Sequence, residues 1–125
     1  MEPRPQPPLL EVEQAGGVTV ARFACRRLRE DATLEAVGRQ LHALLEGGEP
    51  PRLVLNFAEV DDLGSALLAR LVGLHKRAKA AGGRLALCAL APEILVVFET
   101  TWLDRMFHIY PGEPEALRSF AEGEP

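Results

Sequence analysis

The sequence predicts an α/β domain in which helices pack on a largely parallel sheet. Two nearly continuous apolar segments, residues 53–57 and 85–89, are too short for helices and are typical of strands covered on both faces. Between them, apolar residues recur at helical spacing over residues 67–81, which predicts an amphipathic helix. A strand–helix–strand unit of this kind calls for parallel strands joined by a right-handed crossover.

The remaining segments extend this unit in both directions. Gly16 and Gly17 separate two strand-like segments, which predicts a hairpin because glycine reaches positive φ without strain. The first helix can be capped by Asp31 or Thr33, and Gly47-Gly48 should end it. The predicted order is β-β-α-β-α-β-α-β-α, with strands at residues 9–13, 18–23, 53–57, 84–90 and 106–110 and helices that begin near residues 31, 67, 92 and 114.

Two apolar stripes define the predicted inner faces of the longer helices. The stripe of the first helix consists of Leu34, Val37, Leu41, Leu44 and Leu45. The stripe of the second helix consists of Leu67, Leu68, Leu71, Val72, His75 and Ala78. His75 is therefore expected to be packed or half-exposed, and Trp102 to be partly buried.

The chain has 125 residues, which is the size of a single domain with one hydrophobic core. Residues 1–8 form a proline-rich segment that we expect to be a disordered tail. Residues 9–120 are expected to form the domain, and residues 121–125 a loose C-terminal end.

Composition argues against several classes of function. The net charge of −4 and the scattered basic residues argue against nucleic-acid binding, which requires clustered Lys and Arg. No apolar segment approaches the roughly 20 residues of a membrane span, so no membrane insertion is expected. Cys25 and Cys88 form no CxxC motif, so zinc is not expected and a reducing cytoplasm is the simplest location.

The sequence contains no recognisable catalytic group or cofactor motif. His42, His75 and His108 lie in three different elements, without a partner at a spacing typical of a catalytic triad. The adjacent Asp61 and Asp62 are interpreted as turn and helix-start residues. We therefore expect a protein that is not an enzyme and binds no cofactor.

Residues 60–71, with the sequence VDDLGSALLARL, follow a predicted central strand. They resemble the signature of the STAS family (sulphate transporter and anti-sigma factor antagonist domains), where Asp-Ser-Ser/Thr-Gly-Leu-Gly opens a helix after such a strand. Residues 74–88 are similar to that family's helix, Gly-Gly turn and strand, and the resemblance extends over residues 9–120. It implies a single STAS-like domain with a mixed, mostly parallel sheet and flanking helices.

The resemblance also implies a partner-switching function. An unphosphorylated antagonist of this family binds an anti-sigma factor that is a serine protein kinase, and phosphorylation of the motif serine breaks the complex. Aligning Leu63 with the apolar residue of the signature places Ser65 at the phosphorylated serine. The partner-binding residues that this alignment implies are Asp61, Asp62, Leu63, Gly64, Ala66 and Leu67.

The signature is not matched at every position. Gly64 replaces the family's Asp, Ala66 its Ser or Thr, and Leu67 its Gly. Two alternatives therefore stay open. In the first, Ser65 serves only as a helix N-cap. In the second, the chain is a non-phosphorylated STAS scaffold or accessory subunit of a larger assembly, such as a stressosome or a lipid-transport complex.

Overall fold

The computed structural model describes residues 9–28, 32–46 and 49–121. The predicted tail at residues 1–8 lies outside this part of the chain, as do residues 122–125. Ala121, predicted to belong to a loose end, is the last residue of a helix. The elements are β1 (Leu10–Ala15), β2 (Val18–Phe23), β3 (Arg27–Leu28), α1 (Ala32–Ala43), β4 (Arg52–Asn56), β5 (Asp62–Leu63), α2 (Ser65–Ala80), β6 (Arg84–Cys88), α3 (Pro92–Thr100), a 3-10 turn (Leu103–Arg105), β7 (His108–Tyr110) and α4 (Glu113–Ala121).

The main sheet has five strands in the order β1-β2-β4-β6-β7. β1 and β2 are antiparallel and form the predicted hairpin, whose turn residues Gly16 and Gly17 have φ angles of 59° and 82°. The other three pairings are parallel, including that of β4 with β6. The predicted α/β class and the mixed, mostly parallel sheet are confirmed.

Helices cover both faces of this sheet. On one face, α1, α2 and α3 pack on alternate residues of the central strands, such as Leu53 and Leu55 of β4. On the other face, α4 places Ala116 and Phe120 against Val54 and its neighbours. Successive residues of a strand point to opposite faces, which explains why β4 is apolar at nearly every position.

The buried face of α2 differs in part from the predicted stripe. Its buried residues are Leu67, Leu71, Leu74, His75 and Ala78. Leu68 and Val72 were predicted to point inward, but they are half-buried and pack at the edge of the core. Leu74 takes the central position instead, because the helix is rotated slightly from the phase that the apolar pattern indicated.

His75 is packed into the core, within the range that the sequence predicted. Its ring meets the edge of Phe107, with ring centroids 5.2 Å apart. Burial, together with the charges of Lys79 and His108, lowers the pKa of His75.

A second, two-stranded sheet pairs β3 with β5 in parallel. Residues 59–64 were predicted to be a loop, but Asp62 and Leu63 pair with Arg27 and Leu28. Strands of two residues are too short to produce an alternating pattern, so the sequence carries no signal for them. This pair joins the segment before α1 to the segment before α2.

Trp102 does not occupy the partly buried position that the sequence predicted. Its relative exposure is 64%, and its backbone is left-handed, with φ 65° and ψ 10°. The residue lies just beyond α3, where the chain must turn back towards β7.

Candidate functional site

The candidate site begins where the chain leaves β4 at the carboxyl end of the sheet. The Asn56 side chain accepts a hydrogen bond of 2.8 Å from the Ala58 N–H, and Val60 N–H donates to the Phe57 carbonyl at 3.0 Å. These bonds turn the chain sharply out of the sheet. The carboxyl ends of parallel strands are the usual location of functional loops in such folds.

In the segment between β4 and α2, two acidic residues lie between two apolar ones. Val60 and Leu63 are 1% and 7% exposed and pack into the main core. Asp61 is exposed and Asp62 is half-buried. The two apolar residues therefore hold the segment on the domain, and the Asp61 side chain is exposed between them.

Backbone hydrogen bonds attach this segment to the chain around β3. The N–H groups of Asp61 and Asp62 both donate to the Arg26 carbonyl, at 2.9 and 3.2 Å. Gly64 N–H donates to the Leu28 carbonyl at 2.9 Å. The Arg26 guanidinium also binds Asp61 Oδ2 at 2.9 Å, but an exposed ion pair of this kind stabilises by at most about 1 kcal/mol.

Ser65 is the first residue of α2 and is exposed. Gly64 is the N-cap residue, and among the described residues no side chain makes a capping hydrogen bond to this helix. The alternative that Ser65 caps the helix is therefore wrong. The first turn of α2 also contains no acidic residue, so the positive end of its dipole is not neutralised locally.

Not all of the predicted contact residues reach the surface. Leu67 is 0% exposed and Leu63 is nearly as buried, so both side chains face the core instead of solvent. Neither side chain can touch a partner without leaving the core. The remaining predicted residues are exposed or partly exposed, and we call them, together with Ser65, the switch face: Asp61, Asp62, Gly64, Ser65 and Ala66.

The sequence contains one other serine, and its environment is very different. Ser119 of α4 is 4% exposed. Its hydroxyl donates to the Ala116 carbonyl and accepts a hydrogen bond from Arg84 Nη2, both at 2.6 Å. Of the two serines, Ser65 is therefore the exposed one.

A charged network that the sequence analysis missed lies at the same end of the sheet. Arg22 of β2 makes a bidentate contact with Glu113 of α4, at 2.6 and 2.9 Å, and Asn56 Nδ2 donates to Glu113 Oε2 at 2.5 Å. These hydrogen bonds hold the pKa of Glu113 below its usual value. Arg22 also pairs with Glu13 at 2.8 Å.

No local pattern in the sequence reveals this network. Arg22 and Glu113 are 91 residues apart, and Asn56 is 57 residues from Glu113. The three residues meet because parallel strands bring their carboxyl ends to the same edge. They fix the start of α4 to the sheet.

The structure offers little for metal or thiol chemistry. Within the described ranges, no three His, Cys, Asp or Glu side chains are grouped closely enough to hold a metal ion. Cys88 is buried in β6, and burial together with the charge of Glu113 raises its pKa to about 12. A thiol with such a pKa is not nucleophilic at neutral pH. None of the described helices is both long and apolar enough to cross a bilayer.

Comparison with known proteins agrees with this fold. Residues 30–116 match the STAS domain. The chain belongs to the STAS domain family. The matched region of this STAS protein runs from the start of α1 into α4 and includes the whole switch face.

Solved STAS structures are similar over nearly the full chain. An anti-sigma-factor antagonist (STAS) domain protein from Planctomyces limnophilus is 30% identical, with a TM-score of 0.83 over 90% of this chain and 97% of that one. An anti-sigma factor antagonist from Mycobacterium paratuberculosis is 25% identical, with a TM-score of 0.75 over 88% and 91% of the two chains.

A third neighbour is SpoIIAA, a Bacillus cell fate determinant solved in its phosphorylated form. It is 18% identical, with a TM-score of 0.66 over 89% of this chain and 98% of that one. At this identity the likeness shows a shared fold.

Proposed function

We propose that this STAS protein is an anti-sigma factor antagonist that works by binding and not by catalysis. Its partner is an anti-sigma factor with serine kinase activity, and its docking surface is the switch face. Phosphorylation of Ser65 ends the interaction. The family membership and the solved antagonists among its neighbours support the general role.

One observation carries the finer proposal: Ser65 is exposed at the first position of a helix whose N-terminus is uncapped by any described side chain. A phosphate adds about −1.5 to −2 charges and accepts several hydrogen bonds. Backbone N–H groups and the positive end of the helix dipole stabilise such a charge. The domain can therefore tolerate the modification without unfolding.

The same charge disfavours the complex. Asp61 and Asp62 already place two carboxylates on the switch face, and the phosphate would lie four and three residues from them along the chain. A partner that fits the unmodified face meets both an added volume and an added negative charge. Like-charge contact and desolvation then oppose binding.

The experiment uses a cognate serine-kinase anti-sigma factor, identified by pull-down from native lysate. Mass spectrometry after incubation with the kinase and ATP should find phosphate on Ser65. Titration should show that Ser65→Asp weakens the complex about tenfold or more, which corresponds to about 1.4 kcal/mol. Ser65→Ala should bind within about twofold of the unmodified protein, since it adds neither charge nor volume.

Ala80→Asp is the matched control for added charge. Ala80 is exposed at the other end of α2, about 22 Å from Ser65 at 1.5 Å per residue. It should leave affinity unchanged. Phosphate found only at other residues, or equal affinity of the Asp and Ala variants at position 65, would contradict the phosphoswitch.

The second candidate is a STAS scaffold or accessory subunit that is not phosphorylated. Gly64 and Ala66 favour it, because the family signature has an Asp and a hydroxyl residue at these positions. In that case the switch face would bind its partner equally well with Ser65→Asp and Ser65→Ala, and transporter or scaffold genes would neighbour this one.

A further inference from the structure

His75 is a buried polar side chain on an apolar helix face. It is 7% exposed and lies in the second half of α2, beside the buried Leu71 and Leu74. Among the described residues, Ser119 is the other buried polar side chain, and its hydroxyl has two hydrogen-bond partners. Burying a polar group costs free energy unless the group is hydrogen-bonded. The neighbours of His75 on this face are leucines, so packing alone does not require a histidine there.

Aromatic rings connect His75 to the part of the chain that follows α3. Its imidazole meets the Phe107 ring edge-on, with ring centroids 5.2 Å apart and an angle of 65° between the planes. Phe107 in turn meets Phe98 of α3, with ring centroids 5.8 Å apart. Phe107 lies between the 3-10 turn and β7, and we call residues 103–110 the returning segment. His75 is therefore the polar member of a contact between α2 and the returning segment.

One nitrogen of the His75 ring has no acceptor for a proton. Nδ1 is buried and has no hydrogen-bond partner among the described residues. The neutral imidazole carries one proton, which can reside on Nε2, so Nδ1 need not be a donor. The imidazolium carries a proton on both nitrogens. Its Nδ1–H would be a buried donor without an acceptor, which costs the desolvation penalty of a charged group.

The charged groups that act on this ring also oppose its protonation. Lys79 lies one turn further along α2, and His108 lies in the returning segment on β7. Both are positive when protonated, so each repels an imidazolium at position 75. Burial and then these two charges lower the pKa of His75.

The other ionisable groups of the neighbouring elements do not offset this cost. Among the described ion pairs, none joins a carboxylate to the His75 ring. The remaining charged side chains in the second half of α2, in α3 and in the 3-10 turn are exposed: Lys76, Arg77, Glu93, Glu99, Asp104 and Arg105. Arg84 and Cys88 of β6 lie on the face that α4 covers, and Glu35 of α1 is bound by Arg70.

We propose that His75 makes the contact between α2 and the returning segment acid-sensitive, so that the domain loses stability as the pH falls through the mildly acidic range. Protonation places a charge and an unpaired donor inside this contact, and the ring can hydrate both only if α2 separates from Phe107. The neutral ring packs without that cost. The same residue therefore holds the helix at neutral pH and loosens it in acid.

The direction of the effect follows from proton linkage. Because the folded-state pKa of His75 is below its ordinary value of 6.5, the unfolded chain binds the proton more strongly than the folded domain does. The stabilisation is therefore present above pH 6.5 and is lost as the pH falls below that value through the folded pKa. This interval begins above the acid range of Glu113, whose ordinary pKa is 4.5.

The helix α2 connects this response to the surface. Ser65 and His75 lie on the same helix, about 15 Å apart at 1.5 Å per residue, so loosening α2 also disturbs the switch face at its start. The loss of stability itself requires neither a partner nor a phosphate. It can therefore be tested, and can fail, independently of the proposed function.

The test is urea unfolding of the full chain at a series of pH values from about pH 8 to about pH 5. Uptake of one proton on unfolding should raise the unfolding equilibrium constant by up to about tenfold per pH unit within the sensitive interval. A rise of less than about threefold over the whole series would overturn the proposal.

Two substitutions remove the titrating ring. His75→Leu supplies an apolar side chain, and His75→Gln supplies a polar one that does not titrate. In both variants the unfolding equilibrium constant should change by less than about twofold over the same series.

His42→Gln is the matched control and should keep the pH dependence of the unmodified protein. His42 also has a buried Nδ1 without a partner among the described residues. However, His42 is half-buried and lies in the last turn of α1, where a positive charge is favourable.

Nuclear magnetic resonance of the ring protons measures proton binding directly and needs no variant. The His75 resonance of the folded protein should titrate with a midpoint below 6.5. If neither variant folds, this midpoint and the unfolding series of the unmodified protein decide the question. A midpoint at or above 6.5, or equal pH dependence in the unmodified protein and the His75 variants, would overturn the proposal.

Discussion

Two helices of this domain start at the same edge of the sheet, but they differ in whether other side chains bind at the helix start. Glu113 is the first residue of α4, and its carboxylate is bound by Arg22 and Asn56. Ser65 is the first residue of α2, and no described side chain caps that helix. One helix start already holds an anion, whereas the other presents a hydroxyl where an anion would be stable.

The comparison distinguishes a helix start that stabilises the fold from a helix start whose surface can be modified. The α4 start connects a helix to two strands, so losing it loosens the domain. The α2 start is held by the buried side chains behind it, and its exposed end is left without a stabilising charge. A modification there can change the surface without changing the fold.

The largest expected change in stability concerns the buried face of α2. Leu71 is 0% exposed, and Leu71→Asp should lower the free energy of unfolding by at least about 4 kcal/mol, since a buried unpaired charge has no compensation. Thermal melts should show loss of the cooperative transition. Leu68→Asp should cost less, because that side chain is half-buried.

Asp62→Ala is the surface control for this comparison and should remain folded. An unchanged melting midpoint for Leu71→Asp would mean that the helix is not held by this face. The conclusion that buried side chains, and not the helix start, hold α2 on the domain would then be wrong.

The next largest effect is expected at the α4 start. Glu113→Gln should lower the free energy of unfolding by about 1–3 kcal/mol, because it replaces a charge-assisted bidentate contact with a neutral one. Urea titration measures it. Glu115→Gln is a matched control in the same helix turn.

This effect has a defined pH dependence. The folded-state pKa of Glu113 is depressed below its ordinary value of 4.5, so its stabilisation is present above that pH and is lost as pH falls through the folded pKa. The difference between the unmodified protein and Glu113→Gln should therefore be constant near neutrality and should shrink below about pH 4.5. A difference that grows on acidification would contradict this assignment.

The smallest test adds an anion to the start of α2. Gly64→Asp should raise the free energy of unfolding by about 0.5–1 kcal/mol, since a carboxylate at the N-cap position accepts backbone hydrogen bonds and opposes the helix dipole. The φ of −104° and ψ of 174° at Gly64 are open to any residue, so no strain is introduced.

Gly64→Ala isolates the contribution of the carboxylate and should be less stable than Gly64→Asp. Equal stability of the two variants in chemical denaturation would indicate that an anion does not stabilise this helix start. The case for a stable phosphate at Ser65 would then weaken.

The elements with a repeating pattern could be predicted from the sequence. The hairpin, the parallel pair β4–β6 and the helices followed from alternation, helical spacing and glycine or proline positions. The apolar spacing indicated a helix from residue 67, and the alignment with the STAS signature placed Ser65 just before it, where α2 begins. Signals of this kind are local, because neighbouring residues in a regular element share a face.

What the sequence did not predict depends on distant contacts or on exact rotation. Arg22 and Glu113 meet only in the folded sheet, and the β3–β5 pair is too short to leave a pattern. Leu68 and Leu74 lie less than two turns apart on α2. A small rotation of the helix about its axis therefore puts Leu74 in the core and Leu68, the predicted core residue, at its edge. Trp102 was predicted to be partly buried because no other aromatic residue neighbours it in the sequence, but it is exposed and its backbone is left-handed.

Under the proposed function, the β3–β5 pair affects the rate and the entropy cost of partner binding. Because hydrogen bonds join the segment before α2 to the segment before α1, the acidic part of the switch face exists as one ordered unit before any encounter. Association then loses little conformational entropy in this loop, and the complex can form nearly as two rigid bodies. Replacing this pairing with a flexible segment would slow productive encounters even if every contact in the final complex were preserved.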